Sequence, residues 1–155
     1  MTPLFEHSPW VEARADARPS SGDRHADLMA VVRDASQDEQ LALIRAHPEL
    51  AGKAAVDGSL TEASAAEQAS AGLDRLTQAE YDRFHDLNAA YRDKFGFPFI
   101  ICVRLTDKAG ILAAMERRLG NDRDTEIATA LDQIGEIVRL RLADENGREV
   151  TAHPE

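Results

Sequence analysis

A single cysteine, Cys102, stands in 155 residues, so no intramolecular disulfide can form. In the apolar run "FIICV" its thiol reads as core rather than nucleophile. No stretch approaches the ~20 consecutive apolar residues that a spanning helix needs, and "MTPLFEHSPW" has neither the basic start nor the apolar stretch of a secretory signal. A cytoplasmic protein with no membrane association is the expectation. Positive charge is scarce as well. Lys and Arg number 18 against 28 Asp and Glu, a formal net charge of −10, and that balance opposes both nucleic-acid phosphates and anionic membranes. His7, His25, His47, His85 and His153 form no H-E-x-x-H or H-x-x-x-H pair, and neither a phosphate-cradling glycine loop nor a G-x-S-x-G elbow is present. No metal site is expected.

What is present is a soluble composition, 43% hydrophobic and 30% charged, with a length that suits one domain over residues 1–155. The first 25 residues, punctuated by Pro9, Pro19 and Gly22, read as a turn and a loop. Helical signals then follow one another. Leu28, Val31 and Val32 mark a helix from about Ala26 to Ala35; Ser36 with Glu39 makes a capping box for a second helix that ends at His47, because Pro48 disfavours α geometry in the residue before it. A small-residue loop follows, and Thr61 caps a short helix closed by Gly72. Thr77 with Glu80 opens a longer one that Gly96 terminates. Further helices are expected from Lys108 to Leu119 and from Asp124 to Ala143, with residues 144–155 as a flexible tail. "FGFPFIICVRL" has the composition of a strand but no evident partner, so the spacing predicts an irregular extended connector around residues 95–105 in an all-α, single-domain helical bundle.

Three clusters could carry chemistry. His47 closes a helix beside unpaired carbonyls, which suits either a proton-transfer group or a plain C-terminal cap. Ser64, Glu67 and Gln68 emerge on one helix face, as a pocket wall or as a solvated surface; a carboxylate beside an imidazole would orient it. Arg141 continues the stripe Ile127, Leu131, Ile134, Val138, so an apolar face ends in a guanidinium that needs a carboxylate, from a ligand or from the chain itself. Arg139 falls on the more polar side. Six of the eight aromatics lie between Tyr81 and Phe99, which makes "YRDKFGFPFI" the hydrophobic anchor.

Taken in order, "FEHSPWV", "RAHPELAGK", "S-A-A-E-Q-A-S-A-G-L", "FHDLNAAYRDKFGFPFIICV" and "EIVRLRL" resemble the family of 2-oxo-4-hydroxy-4-carboxy-5-ureidoimidazoline (OHCU) decarboxylases of urate breakdown. The resemblance runs from Phe5 to Leu142. It implies an all-α homodimer that converts the ureidoimidazoline to (S)-allantoin and carbon dioxide without a cofactor. It also implies catalytic roles for His47 and Glu67 and substrate contacts from Pro48, Ser64, Gln68, Arg141 and the segment Phe99, Ile100, Ile101, Cys102 and Val103. A related enzyme for another ureido compound, or a non-catalytic helical dimerisation module with a structural His, Glu and Arg network, stands as the alternative.

Overall fold

The computed structural model describes residues 4–5, 7–50 and 61–152, with side chains up to 144. Among the described residues it contains seven α-helices and no strand: α1 Trp10–Asp16, α2 Arg24–Asp34, α3 Gln37–Arg45, α4 Glu62–Ser70, α5 Gln78–Phe95, α6 Lys108–Arg118 and α7 Arg123–Ala152, plus a 3₁₀ turn, Val103–Leu105. The all-α reading holds. None of the described helices is long and apolar enough to cross a membrane. The small-residue loop expected between Leu50 and Thr61 lies outside the described residues.

Helix starts follow the capping chemistry. Ser36 and Thr77 each accept the backbone N–H of the glutamate three residues on, and Glu39 and Glu80 each accept the N–H of the cap in return. Thr61 accepts the Ser64 N–H at the head of α4. Gly96 ends α5 at φ 81°, a left-handed conformation that costs glycine little.

Helix α3, expected to end at His47, ends at Arg45, and two boundaries differ from the sequence reading by more than two residues. Residues 10–16, expected within a turn and loop, form α1, because Pro9 stands at the N-cap, where a missing N–H deprives the helix of nothing. The last helix does not stop at Ala143 but continues to Ala152, so residues 144–152, expected as a flexible tail, are helical. Gly147, the weakest helix former in that stretch, costs only about 1 kcal/mol against alanine, and no proline interrupts it.

Helix α7 is the axis of the packing, with α2 and α3 against it. Gly135 lets α2 approach closely: a Cβ there would stand 3.1 Å from the Met29 methyl, and His25 Nε2–H donates to the Gly135 carbonyl at 2.9 Å. The aromatic segment is the core's anchor, as its composition predicted. Tyr91 meets Phe97 and Phe99 edge-on at 5.9 and 5.3 Å between ring centres, and Phe84, Tyr91, Phe95, Phe97 and Phe99 are all buried.

The connector after Gly96 has no strand partner, so side chains satisfy its backbone. Arg118 Nη1 donates to the Ile100 carbonyl at 2.7 Å, and Gln133 Oε1 accepts the Cys102 N–H at 2.9 Å.

Candidate active site

One cleft, with about 440 Å³ of empty space including its open mouth, gathers every residue singled out by the sequence. His47 and Pro48 reach it from the turn after α3, Ser64, Glu67 and Gln68 from α4, Phe99 to Val103 from the connector, and Arg141 from α7. Residues almost a hundred positions apart in the sequence converge because α4 lies on the connector's 3₁₀ turn while α3 lies on α7.

His47 follows the helix end. Its ring nitrogen Nδ1 is 2.9 Å from the carbonyl of Leu43, one of the last carbonyls of α3 without an intrahelical partner. A carbonyl only accepts, so Nδ1 carries the proton and the lone pair of the neutral ring is on Nε2. The capping reading and the proton-transfer reading are therefore compatible: one nitrogen caps the helix, and the cap fixes the tautomer. The turn itself is pinned to α5, where Asn88 Nδ2 donates to the Leu50 carbonyl at 2.8 Å and Arg92 pairs with Glu49.

Glu67 and Arg141 form the second device. The guanidinium donates from Nε and Nη2 to the two carboxylate oxygens at 2.9 and 2.7 Å, and the side chains are only 14% and 3% exposed. Arg141 Nη2 also lies 3.5 Å from Ser64 Oγ, and Nη1 lies 3.4 Å from the Leu4 carbonyl. The sequence left open whether a ligand or an internal carboxylate would meet this guanidinium. Glu67 meets it, within the cleft. The expectation that Glu67 steadies His47 changes accordingly: the bond that sets the imidazole tautomer comes from Leu43, and the carboxylate's two oxygens grip Arg141. Arg139 points outward to Glu136, with its side chain 49% exposed, as the helix spacing predicted.

The apolar wall is Phe99, Ile100 and Ile101, joined by Leu50 and Ile137. Within the segment expected to contact a substrate, the Ile100 carbonyl is taken by Arg118 and the Cys102 amide by Gln133. The Cys102 thiol is held above its ordinary pKa by burial, so at neutral pH it is a neutral thiol lining the cleft.

Sequence reasoning missed two features. Arg104 lines the cleft and donates to both oxygens of Asp144 at 2.7 and 3.2 Å; its one signal was that it is the first charge after the apolar connector. Behind the connector lies a buried polar network. Glu126, with no exposed surface, accepts from Arg118 Nε at 2.8 Å, Tyr91 Oη at 2.5 Å and Asn121 Nδ2 at 2.8 Å, while the Arg118 guanidinium stacks 4.3 Å from the centre of the Phe99 ring. Tyr91 has a phenol pKa above its usual value, first through burial and then through its bond to Glu126. Nothing in the local pattern joins these four residues.

The chain is similar to known proteins over most of its length. The family model described as OHCU decarboxylase matches residues 1–143. The chain is 45% identical over 144 residues to the 2-oxo-4-hydroxy-4-carboxy-5-ureidoimidazoline decarboxylase of Haloferax volcanii, covering 91% of this chain and 83% of that protein. It is 46% identical to the enzyme of the same name from Halalkalicoccus jeotgali, covering 91% and 80%. Its fold superposes on a crystal structure of (S)-allantoin synthase with a TM-score of 0.66 and 33% identity, over 91% of this chain but 46% of the other. With the family model matching residues 1–143 of the 155, the chain belongs to the OHCU decarboxylase family.

Proposed function

We propose that this chain decarboxylates 2-oxo-4-hydroxy-4-carboxy-5-ureidoimidazoline to (S)-allantoin and carbon dioxide in urate breakdown, and that the cleft is its active site. The observation that carries the reading is the convergence of His47, Ser64, Glu67, Gln68, Phe99 to Val103 and Arg141 on one cavity, in a chain nearly half identical to proteins of that name.

The chemistry follows from the substrate. Its carboxylate sits on a ring carbon that also bears a hydroxyl, next to a ring carbon–nitrogen double bond. When the carbon–carboxylate bond breaks, its electrons form a bond to the neighbouring ring carbon, and the displaced electron pair settles on the ring nitrogen, which takes a proton. The hydroxyl proton then leaves, and a proton arrives on the carbon bearing the ureido group, completing allantoin. The ring itself accepts the electrons, so the protein's work is orientation and proton transfer.

His47 Nε2, the basic nitrogen of the tautomer set by Leu43, takes the hydroxyl proton and returns one to a single face of the ring. Arg141, held rigid by Glu67, directs a substrate carbonyl, while Ser64 and Gln68 fix the ureido edge against the wall formed by Phe99, Ile100 and Ile101. One-sided delivery of the proton is what makes the product optically active. The proposal extends to one catalytic domain acting as a homodimer in the cytoplasm, the dimer resting on the family resemblance; sedimentation equilibrium measures it.

The test is direct. Urate is oxidised enzymatically in a cuvette with and without this protein, and circular dichroism follows allantoin. Faster loss of the intermediate with an optically active product is expected, and racemic product at the background rate would overturn the reading.

A further inference from the structure

Among the described residues two arginines face the cleft, and each is already matched to a carboxylate of the chain, but in different surroundings. Arg141 and Glu67 are almost wholly buried, at 3% and 14% side-chain exposure, whereas Arg104 and Asp144 are 31% and 42% exposed. An anion that displaced Glu67 from Arg141 would strand a carboxylate out of water, the most costly way to break an ion pair. An anion that displaced Asp144 from Arg104 would release an aspartate into solvent and sacrifice a pair of the kind that contributes little. For a carboxylate entering from outside, Arg104 is the cheaper partner. It is also well placed, in the 3₁₀ turn that follows the apolar wall and only partly covered.

From this contrast, and resting on the decarboxylase reading above, we propose that Arg104 is the residue that receives the substrate's departing carboxylate, exchanging Asp144 for it, and that this contact makes the cleft prefer substrate to product. The charge on that carboxylate disappears as neutral carbon dioxide forms. A tight, desolvated pair would stabilise the reactant more than the transition state and slow the step; a solvent-screened guanidinium captures the anion without that penalty. Allantoin has no carboxylate, so once carbon dioxide has left, Asp144 returns to Arg104 and the product has lost one of its holds.

The experiment compares the full-length wild type with Arg104→Gln, Arg104→Lys and the outward-facing control Arg139→Gln, using freshly oxidised urate as the substrate source and allantoin as a competing ligand. For Arg104→Gln, KM should rise by about tenfold, kcat should stay within about twofold, and the salt dependence of kcat/KM should flatten. The inhibition constant for allantoin should not change. Arg104→Lys should recover part of the KM, and Arg139→Gln should match the wild type. In the wild type, added KCl should raise KM for the substrate and leave allantoin inhibition untouched, a readout that survives if Arg104→Gln does not fold. The proposal is overturned if Arg104→Gln leaves KM unchanged, if it weakens substrate and allantoin equally, or if KCl affects both alike. A wild type that fails to consume the intermediate overturns the decarboxylase reading instead.

Discussion

Glu67 and Arg141, 74 residues apart in the chain, share two parallel hydrogen bonds of 2.9 and 2.7 Å inside the cleft. A fork-to-fork pair of this kind fixes both side chains in one plane, and its burial makes it costly to break from one side. Glu67→Ala and Arg141→Ala should each destabilise the fold by about 3–5 kcal/mol, because each strands the other's charge. The double variant should cost much less than the sum. Urea unfolding of the four proteins checks this, and strict additivity would show that the pair is not a unit.

The two arginines of "RLRL" should behave differently. Arg139 has an exposed partner one helical turn away, so Arg139→Ala should shift stability by no more than about 0.5 kcal/mol and leave turnover intact. Arg141→Ala should lose both. Equal kinetic effects, with both variants folded, would refute the assignment of the inward face.

His47→Ala should abolish one-sided proton delivery while keeping the helical fold. The imidazole caps one carbonyl, and losing that bond costs on the order of 1 kcal/mol. The loss in rate should be roughly 10²–10⁴, the usual worth of a general acid or base. Circular dichroism reads both the helix content and the optical activity of the allantoin; near-normal optical purity would exclude the role.

Tyr91→Phe removes one of the three hydrogen bonds to the fully buried Glu126 carboxylate. A loss of about 1.5–3 kcal/mol is expected, since the bond is to a charged group. Chemical denaturation measures it.

Glu39 gives a pH prediction. Its bonds to Arg14, the larger cause, and to the Ser36 N–H lower its pKa from 4.5 to about 2 in the folded chain. A depressed carboxylate contributes stability that is fully present above its unfolded value and is lost as pH falls through the folded one. Melting temperatures of wild type and Glu39→Gln should therefore differ most above pH 4.5 and converge as the pH falls toward 2. A gap that stays constant across that window would sink the argument.

Much of this molecule is written locally. The capping boxes at Ser36 and Thr77, the stop at Pro48, the left-handed Gly96 and the three-four spacing that turns Arg141 inward are all decided by residues within one or two helical turns, and sequence patterns report such interactions directly. The site residues were legible for the same reason, because each is placed by its own element. Their partners were not. Leu43 rather than Glu67 orients the imidazole, Glu67 takes Arg141, Asp144 takes Arg104, and Glu126 gathers Arg118, Tyr91 and Asn121. A carboxylate's pairing depends on which charges the packed helices bring within about 3 Å and on how much water they exclude, and neither distance nor desolvation exists until α7 is in place against α2 and α3.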